Sequence, residues 1–531
     1  MPPWRSIFAW FGMVPLVWAV LSPACTGQPR PLRTAFLLAY LCGVLWYAGN
    51  CYWIYDTMLY YGGLPAVVSA LMLAGFSLVL GLYFGLFGLG LAFVQKATGS
   101  TRLALAFAPV LWVALELAAA RITSVPWDQL GYSQVDNALV NQLAPWTGVY
   151  GISFLLAAVN ALLAGGLLIG SRLPSRFAGR WAWTFGGAVL LIAGFCGSFV
   201  APPQPAPTAT AVLVQPNLDV ANTGYWQGPG EWNAHIAQFT QLAGETCKSF
   251  LNGIPQLAKS ITAPYCPEPS AHPDLVLWPE APAPFFENEQ RFQQGMASVA
   301  RAEHAPLIVN GIGSRFVSNE DGWDEYVSAM IFAANGKEIG RYDKIHLVPF
   351  GEYVPFARLL FFAHKLTGKV GLFTPGTERK VFHIDGPDGQ THRYGVFICY
   401  EAVFADEVRQ FARHGAEVFV NLSDDGWYGD TSAPWQHLNM ARMRAIENRR
   451  WLLRDTNTGV TAVIDPYGRV LQSSPRHRVD ALPARFGFRD DITFYTAHGD
   501  VFAWACVVVS LGLLGWAGSR PRRREQEPSG S

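Results

Sequence analysis

Three residues of different chemical type stand at positions where an α/β domain tends to place chemistry: a carboxylate, Glu280, an amine, Lys344, and a thiol, Cys399. Glu280 ends the apolar run "LVLWPE", with Pro279 and Pro282 stiffening the turn. Cys399 ends "YGVFICYE" directly before a helical pattern. Lys344 lies in "GRYDKIHLVPFGEYVPF", a polar segment between apolar anchors that also contains Glu352. A free thiol has a pKa of about 8.5 and is a weak nucleophile until deprotonated; a nearby cation and a helix N-terminus both favour the thiolate. A base, a cation and a thiol are the parts that covalent acyl transfer requires. Glu280 would take the thiol proton and return it to the leaving group. Lys344 would assist the thiolate or bind the oxyanion of a tetrahedral intermediate. Taken singly, each residue has an ordinary structural explanation, such as a core thiol, a helix-capping carboxylate or a solvated lysine. The set of three is what points to catalysis.

These residues need a frame. Between 209 and about 475, short β-rich runs alternate with amphipathic helical ones. The strand-like runs are Ala209–Val214, Asp274–Trp278, Leu307–Asn310, Val327–Ala333, Tyr394–Ile398, Glu417–Asn421, Trp451–Arg454 and Thr461–Asp465. The helical ones are Gln290–Glu303, Val403–His414 and Trp435–Arg449. Such alternation predicts an α/β domain with layered sheets, whose sites lie where strands end. Apolar triplets such as Leu275–Val276–Leu277 and Val418–Phe419–Val420 predict strands buried on both faces.

The rest of the 531-residue chain is a different material. Over the whole chain, hydrophobic residues make up 51% and charged ones only 15%, against about 25% charged in soluble proteins, and the charges are sparse before about residue 200. Apolar runs near 6–24, 33–55, 65–94, 103–121, 148–170, 181–200 and 499–518 match or exceed the ~20 residues a membrane helix needs. The expected organisation is a helical membrane domain over 1–200 with about six spans, a catalytic domain over 201–498, a membrane helix over 499–518 and a basic tail over 519–531. Arginine and lysine cluster in alternate loops: Arg30 and Arg33, then Lys96 and Arg102, then Arg172, Arg176 and Arg180, and finally the tail. The positive-inside rule therefore places the catalytic domain outside the cytoplasm. Zero net charge argues against a nucleic-acid partner. The eight cysteines include no CxxC pair and no Cys/His cluster at zinc spacing, so no metal site is expected. Cys25, Cys42, Cys51, Cys196 and Cys506, in or beside apolar segments, read as small buried hydrophobes. Cys247 and Cys266 flank an apparent insertion, and an oxidising compartment would favour a disulfide between them.

Several longer segments, "YDKIHLVPFGEYVPF", "ICYE", "DGWYG", "PWQHLNMARMRAIEN", "RDTNTGVTAVID" and the earlier "PWDQLGYSQ", resemble those of apolipoprotein N-acyltransferases, a membrane branch of the nitrilase superfamily. The resemblance covers most of the chain in the correct order. It implies a nitrilase-type α-β-β-α sandwich on an α-helical transmembrane domain, in the inner membrane of a bacterium with the catalytic domain facing the periplasm. It also implies ping-pong transfer of an acyl chain from a phospholipid through a Cys399 thioester to the N-terminal amine of a diacylated apolipoprotein, with no cofactor and a monomeric enzyme. By the same resemblance, Glu280 is the base, Lys344 the lysine and Cys399 the nucleophile. Glu352 and Glu401 support the site, and Tyr400, Trp427 and Trp226 are aromatics around it or its loops. Apolar residues over 359–373 would dip into the bilayer. Two departures stand out: Asp424 occupies a place where the family has asparagine, and seven apolar runs are present where eight are usual. A membrane-tethered amidase, with water as acceptor, would use the same three residues. A transporter would need charged residues within its spans, and Glu116 is the exception to their near absence.

Overall fold

The computed structural model describes residues 3–23, 28–169, 177–197, 199–220, 230–251, 272–280, 285–317, 322–353, 373–386 and 388–520. Two compact units are formed, one from Met1–Cys51, Leu73–Ala201 and Asp500–Ser531, the other from Tyr52–Met72 and Pro202–Gly499. Trp226, Cys266 (and with it the disulfide expectation), residues 359–372 and most of the basic tail lie outside the described residues.

The first unit is helical. Five described helices are long and apolar enough to cross a membrane: Leu32–Asn50, Ala66–Thr98, Thr101–Ile122, Val149–Leu168 and Val501–Ser519. Two more apolar helices, Ser6–Leu21 and Thr184–Gly197, are shorter. The first of these begins in 3-10 geometry and turns α-helical only at Val14. The apolar run predicted to reach residue 55 instead stops being one helix at Asn50, and a separate short helix, Trp53–Asp56, follows within the second unit. Cys42 and Cys196 are exposed rather than buried, whereas Cys51 and Cys506 are buried; on an apolar helix the outward face suits a small thiol as well as the inner one does.

The second unit holds twelve strands among its described residues. β1 (Ala209–Gln215), β2 (Leu275–Trp278), β3 (Leu307–Val317), β4 (Gly322–Phe332), β5 (Glu338–Asp343) and β12 (Asp480–Phe486) make one sheet in the order β12-β1-β2-β3-β4-β5. β6 (Val381–Asp385), β7 (Thr391–Ile398), β8 (Val418–Ser423), β9 (Trp451–Thr456), β10 (Ala462–Ile464) and β11 (Val470–Ser473) make the other, ordered β11-β10-β9-β8-β7-β6. Parallel trios β1-β2-β3 and β7-β8-β9 form the interior, and the flanking strands pair antiparallel.

Alternation along β1 and β2 shows how the layers stack. Leu213, Leu275 and Leu277 join a core that also contains Val396, Val418, Val420 and Leu453 of the second sheet. Val212, Val276 and Trp278 face the other way, onto Phe239 of the helix Glu231–Leu251 and Phe292 and Met296 of the helix Gln290–Glu303. The 290–303 helix buries Phe292, Met296, Val299, Ala300 and Glu303, the spacing of one helical stripe. On the second sheet's outer side, Val408 and Phe411 of the helix Ala405–Arg413 and Leu438, Ala441 and Ala445 of the helix Ala433–Asn448 complete the packing. The fold is thus an α-β-β-α nitrilase-type sandwich. Each buried large aliphatic contributes roughly 1.5–3 kcal/mol. Because β1 and β2 are buried on both faces, a one-residue slip would exchange the residues facing the two cores.

Candidate active site

Parallel strands end together, so β2, β7 and β8 deliver their last residues to one end of the sandwich. Glu280 follows β2, Lys344 follows β5, Cys399 follows β7, and Asp424 and Asp425 follow β8. Lys344 is fully buried, and its Nζ donates to Glu280 Oε1 at 3.0 Å and to Glu352 Oε1 at 2.6 Å. The remaining oxygen of each carboxylate is also occupied: Glu280 Oε2 accepts from the Asp424 backbone N–H at 3.0 Å, and Glu352 Oε2 from that of Val348 at 2.8 Å. The Lys344 backbone is held on both sides, donating to the Val327 carbonyl and accepting from Gly376, each at 2.8 Å.

Burial opposes the Lys344 charge, but Glu280 and Glu352 outweigh it and hold the ammonium well above the usual lysine range. An unpaired ammonium there would cost far more than one held by two carboxylates. Burial, together with the nearby Glu280 carboxylate, pushes the Cys399 thiol pKa well up, with Lys344 pulling it partly back. The resting site is therefore a neutral thiol beside a carboxylate acceptor.

Cys399 has a φ of +47°, a left-handed conformation that costs a residue with a Cβ of the order of 1–3 kcal/mol and clusters at functional sites. This sharp turn opens the 3-10 segment Cys399–Val403. Glu401 braces it. Its Oε2 accepts from the Ile398 N–H at 2.7 Å, and its Oε1 accepts from the Tyr342 hydroxyl at 2.8 Å, Ile345 N–H at 2.6 Å and His346 N–H at 3.2 Å. One carboxylate therefore ties the thiol's turn to the segment carrying Lys344. Burial raises the Glu401 pKa despite these donors.

The other predicted residues are distributed unevenly. Tyr400 is buried beside the thiol and packs edge-on against Phe404 at 5.2 Å. Trp427 is 42% exposed and meets Tyr61 at 6.3 Å. Asp424, expected to add charge near the site, is buried; its carboxylate accepts from Gly426 N–H at 2.9 Å and Asn457 Nδ2 at 3.0 Å. Burial pushes its pKa well up, and the nearby Glu280 and Asp425 carboxylates add to the rise against those donors.

Sequence reasoning did not single out the buried group behind the thiol. His437 Nε2 lies 3.0 Å from the Cys399 carbonyl, and its Nδ1 lies 2.9 Å from Asp425 Oδ1, which also takes Arg454 Nη2. Asp425 stands beside Asp424 and Arg454 beside Asp455, so neither charge stands out in its segment. No local signal joins a helix, a turn and a strand. Tyr52 and Trp53 were read as the end of a membrane span. Here the Trp53 indole donates to Gln436 Oε1 at 3.2 Å and packs edge-on to Tyr428 at 5.2 Å, while the Tyr52 hydroxyl accepts from Ser432 N–H. Arg444 pairs with buried Glu447 at 3.1 Å, and Arg442 donates to the Gly468 carbonyl.

Residues 1–162 match the family model of the apolipoprotein N-acyltransferase N-terminal domain, and residues 223–479 that of carbon-nitrogen hydrolase. The chain is 35% identical to an apolipoprotein N-acyltransferase of Geobacter metallireducens, over 93% of this chain and 89% of the relative. It is 30% identical to that of Azotobacter vinelandii, over 98% and 93%. Among solved structures, an amidase from Nesterenkonia sp. is 16% identical, covering 56% of this chain and 94% of its own, at a TM-score of 0.36. A nitrilase-superfamily protein, Nit3 of Saccharomyces cerevisiae, is 18% identical, covering 56% and 97%, also at 0.36. With both family models matched in order and such identity along nearly its whole length, this chain is an acyltransferase enzyme that belongs to the apolipoprotein N-acyltransferase family.

Proposed function

We propose that the enzyme moves an acyl chain from a membrane phospholipid to the α-amino group of a diacylglyceryl-cysteine at a lipoprotein's N-terminus, through a thioester on Cys399. The observation that carries this reading is the buried Glu280–Lys344–Glu352 clamp set against a thiol on a strained turn. In the first half-reaction Cys399 Sγ bonds to the ester carbon and the C–O bond to the glycerol breaks. Glu280 takes the thiol proton and passes it to the departing alkoxide, giving a lysophospholipid. Lys344 binds the oxyanion between these events. In the second, the amine attacks the thioester carbon, the C–S bond breaks, and a proton from nitrogen returns through Glu280 to sulfur. The thioester conserves acyl energy for an amine acceptor, and lipid-tailed substrates suit a chain with five apolar helices of membrane-spanning length among its described residues. Glu352 and Glu401 act as positioning residues. Tyr400 and Trp427 line the approach. The enzyme works as a monomer in the bacterial inner membrane with the sandwich facing the periplasm, in keeping with the alternation of basic loops.

Intact-protein mass spectrometry after incubation with phospholipid tests this. A mass increase of one acyl chain is expected on the wild type, absent from Cys399→Ala and discharged by a diacylated lipopeptide that gains the chain. Discharge to free fatty acid without lipopeptide acylation would instead identify a hydrolase.

A further inference from the structure

His437, Asp425 and Arg454 form a buried chain that ends on the nucleophile's own backbone, and the acyl-transfer scheme leaves it unused. A carbonyl can only accept, so the 3.0 Å contact between His437 Nε2 and the Cys399 oxygen requires the proton on Nε2. With the proton on Nε2, the opposite ring nitrogen is an acceptor and takes Arg454 Nη2 at 3.1 Å; the same Nη2 donates to both Asp425 oxygens, at 2.9 and 2.8 Å, and so holds Asp425 Oδ1 2.9 Å from the ring. Arg454 also reaches Asn421 and, at 3.3 Å, the Ser423 hydroxyl. All three members are fully buried. They come from the 433–448 helix, the turn after β8, and β9, so a polar network is built into the second sheet beneath the thiol's turn.

The Cys399 carbonyl belongs to the peptide that joins Cys399 to Tyr400. That unit is planar, and in a trans peptide its C=O and N–H point to opposite sides. Fixing the carbonyl therefore fixes the direction of the Tyr400 N–H. The amide after a nucleophile on a sharp turn is a common donor to the developing oxyanion. We propose that His437, backed by Asp425 and Arg454, is a positioning residue that locks the Cys399–Tyr400 peptide plane and thereby aims the Tyr400 N–H at the oxyanion. The same bond helps to hold Cys399 at its φ of +47°, with Glu401 fixing the preceding N–H of Ile398. This proposal rests on the reading of Cys399 as the acyl-accepting thiol.

The test separates two reactions of one thiol. A p-nitrophenyl ester must pass through an oxyanion, whereas iodoacetamide alkylates sulfur by displacing iodide and forms none. In His437→Leu, release of nitrophenolate is expected to fall about 100-fold, with Cys399 alkylation at pH 9 within about threefold of wild type. His437→Gln, whose amide can replace the Nε2 donor, should recover ester reactivity to within about tenfold. Equal losses in both reactions, or full ester reactivity in the leucine variant, would overturn the proposal. Should the leucine variant not fold, glutamine is compared with His437→Asn, whose amide takes the Nδ1 place. Slower ester turnover in the asparagine variant supports the relay, and equal turnover refutes it. Wild-type protein that reacts with the ester but not with phospholipid fails the donor reading alone. Inertness to both fails the nucleophile, and this proposal with it.

Discussion

At the scale of single residues, the site holds opposite charges out of water in a fixed ratio: one ammonium, Lys344, shared by two carboxylates, with a protonated thiol beside them. Two expectations follow. The folded Cys399 pKa lies above that of a free thiol, so at pH 7 its thiolate fraction is smaller and iodoacetamide should react more slowly than with free cysteine. The rate should rise about tenfold per pH unit and continue to climb above pH 9; levelling near the free-thiol value of about 8.5 would show that the thiol is not perturbed. Mass-spectrometric quantification of alkylated Cys399 across pH measures this. Glu352→Gln removes one of the two carboxylates from a buried ammonium. A loss of about 3 kcal/mol in unfolding free energy is expected, together with slower acyl-enzyme formation, read by thermal melts and intact mass. Unchanged stability would mean that Glu280 alone suffices to hold the charge.

Among the secondary elements, the interior strands were legible and the edges were not. Runs such as those of β2 and β8 are apolar throughout because both faces are covered. The strands missing from the sequence reading are β5, β6, β11 and β12, which are the four outer strands of the two sheets. An edge strand has one open side and so mixes polar and apolar residues, as the patchy burial of β5, β6 and β11 shows. β12 was hidden by Pro483; a proline is tolerated at an edge, where its missing N–H leaves no ladder bond unmade. The helix Glu231–Leu251 was also missed, since its polar outer face dilutes the apolar stripe. Elements also set the tolerance of the site. A Cβ on Gly376 would lie 2.1 Å from the Asp343 carbonyl and 2.7 Å from its carbon, in the segment whose N–H binds the Lys344 carbonyl. Gly376→Ala should therefore displace Lys344 and slow acyl-enzyme formation at least tenfold while the protein still folds. Wild-type rates in a folded variant would show that this segment yields without moving the lysine.

Over the whole molecule, two materials meet in one chain: helices rich in apolar residues, and a sandwich that carries most of the charge. The distribution of Arg and Lys among the loops makes a directional claim. Alkaline phosphatase fused after residue 201 should be active and after residue 520 inactive, in whole cells. The reverse pattern would invert the proposed orientation. The placement of Tyr52–Met72 with the catalytic unit rather than with the helices was invisible to hydropathy, because "CYWIYD" is apolar enough to extend the preceding span. Its aromatics instead pack on Tyr428 and Trp427.

The sequence alone determined the kind of chain, its apolar helices, its interior strands and the three residues proposed for chemistry, because each of these is written in local composition or in a contiguous motif. Only the tertiary structure decided what surrounds the thiol. The Glu280–Lys344 contact, the Glu401 brace and the His437–Asp425–Arg454 chain join residues from separate elements. A side chain's hydrogen-bond partner depends on how strands and helices stack, and spacing along the chain does not record it. For the same reason Asp424, conspicuous in the sequence as an added charge, proves in the fold to be a buried group whose surroundings favour its neutral form.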